Sequence, residues 1–173
     1  NKLYELYKAT NNKEKLQKIL RSLFLSMRTF NIELYNEYKS YFLSDEWKTE
    51  IESLLQESSR FEFEILYEEK LYDDLFIAVE KTYNKYGGSN YIKEYAAVLM
   101  PKYANQLAEM FVKALEKNIE NLRNRDDYRC FAKDLKFLAK NLTAFEKASE
   151  LREKWLVEYK RKSALCEELR WAF

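Results

Sequence analysis

Histidine is missing from this chain of 173 residues, and it carries only two glycines, one proline and two cysteines. Each shortage excludes something. Without histidine the chain lacks the commonest neutral-pH general base and the commonest metal ligand. Ser-His and Cys-His nucleophilic pairs are excluded with it. Cys130 and Cys166 are too few and too far apart for a disulfide framework or for the four N/S ligands of a structural zinc. Each lies in a helical apolar pattern, so both are expected to be free, buried, small hydrophobes in a reducing cytoplasm. Average usage would give roughly a dozen glycines and about nine prolines at this length. Sheets, tight hairpins and nucleophile elbows turn on those residues. No Gly-x-x-x-x-Gly-Lys or Gly-x-Gly-x-x-Gly motif is present, and the Gly87-Gly88-Ser89-Asn90 loop has no adjacent strand to make a phosphate cradle. Long apolar runs are missing too. Leu23-Phe24-Leu25 and Ala96 to Met100 fall far short of the roughly 20 residues that span a bilayer. No signal peptide is visible, and the first residue, Asn1 rather than Met, suggests a piece of a longer protein.

What remains is a helical vocabulary. Hydrophobic residues make up 47% and charged residues 34%, a globular balance. The net charge of +1 supplies no global field for nucleic acid or acidic lipid. Residues 113–173 hold 15 Lys/Arg against 11 Asp/Glu, a net of +4, and the remainder carries −3.

Apolar side chains recur at i, i+3, i+4 and i+7 nearly throughout. The stripes are Leu16, Ile19, Leu20, Leu23, Met27, Phe30; Trp47, Ile51, Leu54, Leu55; Tyr72, Leu75, Phe76, Val79, Tyr83; Leu107, Phe111, Ala114, Leu115, Ile119, Leu122; Tyr128, Phe131, Leu135, Leu138; Ala148, Leu151, Trp155, Tyr159; and Leu165, Leu169, Ala172. Ser44-Asp45 is expected to cap a helix beginning near Glu46, and Pro101 to occupy the first position of another. Asn124 or Asp126 should open the helix carrying Tyr128, and Asn141-Leu142-Thr143 should separate it from the next. Phe61 to Ile65 alternates briefly but has no partner strand, so it reads as helix. The sum is about ten helices of roughly 9–20 residues with short connections. That is too many and too short for a four-helix bundle. With 14 Tyr, 11 Phe and 3 Trp available to fill the wedges between layers, the expectation is one all-α domain over 1–173. Its fold class is a right-handed solenoid of degenerate helical pairs, tetratricopeptide-like but without an exact repeat.

Glu68-Glu69-Lys70-Leu71-Tyr72-Asp73-Asp74-Leu75 resembles the helix-turn-helix joint of tetratricopeptide-like arrays. Together with Asn124-Arg125, Tyr128, Leu135, Tyr159-Lys160-Arg161-Lys162-Ser163-Ala164-Leu165 and Glu167-Glu168-Leu169, it resembles the helical C-terminal region of bacterial SWIM zinc-finger proteins over roughly residues 45–173. Those proteins often end in Tyr-x-Arg-Arg-Pro-Ala-x-x-Glu-Glu-Leu, and Lys162-Ser163 stands where that pattern has Arg-Pro. The Cys-x-Cys and Cys-x-His of the finger are absent, so the resemblance implies the helical part alone. It carries no zinc ligand or nucleic-acid-binding residue over to this chain.

The acidic doublets Glu68-Glu69, Asp73-Asp74, Asp126-Asp127 and Glu167-Glu168 point about 100° apart on a helix, so none is a catalytic dyad; structural or solvated roles are expected. No catalytic, cofactor-binding or metal-binding residue is indicated. The candidate interaction residues are Arg123, Arg125, Tyr128, Arg129, Tyr159, Lys160, Arg161 and Lys162, cations interleaved with stacking platforms of the kind single-stranded nucleic acid uses. The same cations would also suit helix C-termini. The tyrosines Tyr4, Tyr7, Tyr35, Tyr38 and Tyr41 could line a groove or fill the core. Leu165, Leu169, Trp171 and Phe173 could cap the last layer or form an exposed patch. The function expected is a non-catalytic protein–protein interaction or scaffolding module, with an accessory nucleic-acid-binding segment in the basic C-terminal third as the alternative.

Overall fold

A computed structural model describes every residue except Asn1, Asn11 and Ser58, and the side chains of all of these but Lys2, Leu3 and Ser59. Among the described residues there are ten α-helices and no strand. The protein is all-α, and none of its described helices is long and apolar enough to cross a membrane. The chain gathers into two compact units, Asn1–Leu71 and Tyr72–Phe173.

The first unit holds α1 (Lys2–Ala9), α2 (Lys13–Ser26), α3 (Ile32–Lys39), α4 (Ser44–Glu57), a 3₁₀ turn (Ser59–Phe61) and α5 (Glu62–Glu68). Asn12 and Asn31 start α2 and α3, their side-chain oxygens accepting from Lys15 and Leu34 N–H. This satisfies a first-turn donor that the helix itself leaves orphaned. The α4 start differs from expectation. Ser44 is already helical, and the cap is made by the Glu46 carboxylate reaching back to the Leu43 N–H at 2.9 Å. That is one half of a capping box. The α2 stripe differs as well. The helix stops at Ser26, so Met27 and Phe30 lie beyond it, and the buried line is Leu16, Leu20 and Phe24. At i, i+4, i+8 this line aims a phenyl ring into an aromatic cluster. Phe24 sits 5.3–5.9 Å, centroid to centroid, from Phe30, Tyr35 and Phe61. Trp47 meets Tyr35, Tyr38 and Phe42 at 5.3–5.6 Å. Tyr35 and Tyr38 are fully buried, so core packing is their use. The unit ends where Lys70, in the left-handed region at φ 58°, lets Leu71 N–H bond Leu66 C=O at 2.9 Å. This is the helix stop that glycine usually makes.

The second unit holds α6 (Tyr72–Tyr86), α7 (Asn90–Ile119), α8 (Arg125–Lys140), α9 (Phe145–Glu158) and α10 (Ser163–Arg170). Gly87, at φ 70°, turns the chain out of α6. Pro101 does not begin a helix as expected. It lies inside α7, where its missing N–H and its ring break the hydrogen-bond ladder, and the helix kinks with Tyr103 at φ −120°, ψ 23°. The kink is braced from α6. Tyr103 stacks on Phe76 at 3.9 Å and 3°, and its hydroxyl and the Lys102 ammonium both reach Asp73 at 2.7 Å. After the kink, Leu107, Phe111, Ala114, Leu115 and Ile119 are buried, as are Phe131, Leu135 and Leu138 of α8 and Ala148, Leu151 and Trp155 of α9. Helix α8 packs on both α9 and α10, which also touch each other. Both cysteines are free, but Cys130 is exposed rather than buried. It sits one residue, about 100° of helix, away from the buried Phe131.

Candidate interaction surface

Asn124 opens α8 with a full capping box. Its side chain accepts from Asp126 and Asp127 N–H, and the Asp127 carboxylate accepts from the Arg123 and Asn124 N–H groups. The N–H of Arg123, then that of Asn124, helps hold Asp127 below the ordinary aspartate value despite partial desolvation. This geometry fixes the direction of the next two arginines. Arg125 reaches α10, bonding Glu167 at 2.8 Å and Glu168 at 3.2 Å. Arg129 bridges Asp126 at 3.1 Å and Glu168 at 3.5 Å. Lys162 lies over the half-buried Tyr159 ring at 5.2 Å. Arg123, Lys160 and Arg161 are exposed, and Tyr128 is half-buried. Glu158 and Glu120 stand close enough to Tyr159 to raise its pKa, after the larger effect of burial. The expected cationic cluster is thus interleaved with carboxylates, and Arg125 and Arg129 already pair with carboxylates of α8 and α10.

The acidic doublets divide in the same structural way. Asp73 braces the kink, Asp127 caps α8 while Asp126 pairs with Arg129, and Glu167 and Glu168 receive Arg125. Glu69 is the one whose importance is not visible locally. Its side chain is only 11% exposed, and it accepts from Tyr35 Oη at 2.7 Å, Lys39 Nζ at 2.9 Å and Trp47 Nε1 at 3.1 Å. Burial pushes its pKa up, but the bonds from Lys39, Tyr35 and Trp47 together outweigh it and hold the carboxyl below the ordinary value. Glu50 plays the same part for Tyr38 (2.6 Å) and Arg21. No buried side-chain polar atom among the described residues is left unpaired, so these networks are satisfied structural fixtures.

A different surface emerges on α9. Phe145, Glu146, Ser149, Glu150 and Glu153 share one outward helical face, lining an open trough of about 600 Å³. Phe145 is 58% exposed, and Val157, one further turn along the same face, is 74% exposed. Phe145 and Glu146 also border a second recess, about 410 Å³, between Ala104, Asn105 and Ala108 of α7 and the turn Leu142–Ala144. Thr143 in that turn has φ 49°, a left-handed conformation uncommon for a β-branched residue. The Phe173 ring meets Phe145 at 5.3 Å and lies under the Arg152 guanidinium at 4.7 Å. Trp171, two residues before it, is 79% exposed, while Leu165 and Leu169 are buried. The terminal segment therefore both caps the core and leaves aromatic surface outside.

Comparison of the chain with protein-family models, with curated proteins and with solved structures returns no match in any of the three. The likeness to the SWIM-associated helical region rests on the residues quoted for it alone.

Proposed function

We propose that this chain is a protein–protein interaction or scaffolding module, a binder rather than a catalyst, built on stacked helical pairs of the tetratricopeptide-like kind. The stacking is supported by α8, α9 and α10: α9 pairs with α8, and α10 returns to α8 as well as α9, the next-neighbour contact that a helical-pair array repeats. Kinship with the helical region of SWIM zinc-finger proteins belongs to the same proposal.

One observation carries the interaction reading: the exposed Phe145 and Val157 on a single face of α9, beside an open recess. Scattered apolar side chains on a surface need no explanation, but an aromatic side chain exposed at the edge of a recess is the raw material of a hot spot. The basic C-terminal residues offer less, because Arg125 and Arg129 already have carboxylate partners. The test is affinity capture from the source cell's extract with nuclease present, comparing the wild-type chain with Phe145→Ser/Val157→Ser. A nuclease-resistant protein retained by the first and lost by the second supports the module. Binding that vanishes with nuclease, or that ignores the double substitution, defeats it in favour of the basic residues.

A further inference from the structure

We infer that the outward face of α9 receives a basic amphipathic segment of another protein, with Lys/Arg side chains at helical spacing and an apolar anchor beside Phe145. This rests on the interaction reading and names the chemistry of its partner.

The face is both apolar and acidic. Glu146, Glu150 and Glu153 follow a 4-then-3 spacing, so they form one stripe spanning about 10 Å of helix. Phe145 and Val157 flank that stripe, about 18 Å apart along the axis. Glu146 and Glu150 have no ion-pair or hydrogen-bond partner among the described residues, and Glu153 is met by the neighbouring Arg152. No cation of α9 pairs with Glu146 or Glu150. Arg152 is drawn to Glu153 and to the Phe173 carbonyl and ring, Lys154 to Glu116 on α7, and Lys147, which lines the recess together with Glu146, makes no ion pair with it. Two carboxylates therefore stand unneutralised between exposed apolar side chains. A neutral or acidic partner burying Phe145 would have to desolvate or repel them. A basic amphipathic helix would meet them with cations while placing its own apolar side chain in the Ala104, Ala108 and Leu142 recess.

The probe is a fluorescein-labelled helical peptide of about 18 residues, carrying Lys at i, i+4 and i+7 with a leucine at each end. Its controls are the Glu-for-Lys version and a scrambled isomer. Fluorescence anisotropy should show binding of the Lys peptide alone, weakened at least about tenfold by Glu146→Lys/Glu150→Lys and also by 0.5 M salt. Lys160→Glu/Arg161→Glu should leave it unchanged, and circular dichroism checks that every variant remains helical. Absence of binding, equal binding of the scrambled or Glu peptide, or indifference to the charge reversal overturns the inference. So does concentration-dependent dimerisation that the charge reversal abolishes, since the occupant would then be a second copy. If the peptide fails while Phe145→Ser/Val157→Ser still loses a captured protein, the interaction module stands and its basic partner falls. If both fail, the module falls as well.

Discussion

The core of Asn1–Leu71 sets leucine and isoleucine around a cluster of aromatic rings, of which Tyr35, Tyr38 and Trp47 have polar tips tied to carboxylates, while that of Tyr72–Phe173 is largely leucine and alanine. Every buried alanine among the described residues lies in the second unit: Ala78, Ala96, Ala108, Ala114, Ala132, Ala139, Ala148 and Ala172. The first unit instead buries Phe24, Tyr35, Tyr38, Trp47 and Phe61. Small side chains let helix axes approach closely, so contact is made by backbone-near surface along the whole length. Rings fill space between short helices that do not run alongside one another for long. They demand something in return, since each buried hydroxyl or indole N–H needs an acceptor. Glu69 and Glu50 are those acceptors. The difference teaches that the two halves should fail in opposite ways, one on losing volume or a carboxylate, the other on gaining volume.

Truncation of a central ring is the largest blow available to the first unit. Phe24→Ala should cost about 4 kcal/mol in chemical denaturation, since its cavity is walled by rings that cannot all collapse inward. Glu69→Ala follows at about 3 kcal/mol, because it strands Tyr35 Oη and Trp47 Nε1 and leaves Lys39 without its partner. Glu69→Gln removes the charge and tests the acid side. The folded pKa is depressed, so the stabilisation is complete above the ordinary glutamate range and is lost as pH falls through the lowered folded value. The Gln variant should flatten that acid dependence. At the alkaline side the sign reverses. Burial, opposed by Arg21 and aided by Glu57, pushes Tyr38 from 10.0 up to about 12. Its contribution is complete below pH 10.0 and disappears as pH rises through about 12. Tyr38→Phe should weaken that loss in an alkaline melt.

The matching blow to the second unit adds atoms. Ala148 is completely buried in α9, and Ala148→Leu should cost about 2 kcal/mol by overpacking the core around it. If Phe24→Ala and Ala148→Leu prove equally mild, the contrast between a ring-filled and a close-packed core loses its physical basis.

How far the sequence foretold this depends on the range of each interaction. The α8 start was legible because a capping box is local: Asn124 and Asp127 are three residues apart. The stripe from Leu107 to Ile119 is likewise a local periodicity and appears as helix. Phe61 to Ile65, by contrast, alternates locally like a strand, and its helical reading rests on the want of a partner strand; it forms the end of the 3₁₀ turn and the start of α5. Glu69 was not legible, because Tyr35, Lys39 and Trp47 lie 34, 30 and 22 residues away. Pro101 permits either a helix start or a kink, and the choice was made by Phe76 and Asp73 bracing Tyr103 from another helix. The α9 face did leave a signal. Phe145, Ser149, Glu153 and Val157 recur every four residues opposite the buried Ala148, Leu151 and Trp155, a pattern hidden when attention follows the buried stripe alone.

Two smaller effects separate caps from surface pairs at one end of the second unit. Asn124→Ala should cost about 1 kcal/mol, since two first-turn N–H groups of α8 lose their acceptor. Arg125→Ala sits one residue on and removes two ion pairs, yet thermal melts should barely distinguish it from wild type. Both of its carboxylate contacts are made at the surface, where water and salt compete for each charge. A second readout makes that near-silence informative. If Arg125 and Arg129 were free cations awaiting a polyanion, neutralising them would weaken binding to a single-stranded oligonucleotide and flatten its salt dependence. With Glu167, Glu168 and Asp126 already opposing them, Arg125→Ala/Arg129→Ala should leave any residual oligonucleotide binding unchanged. A clear loss would show that the arginines leave their carboxylates for phosphate, and the basic end of the molecule would then displace α9 as the binding surface.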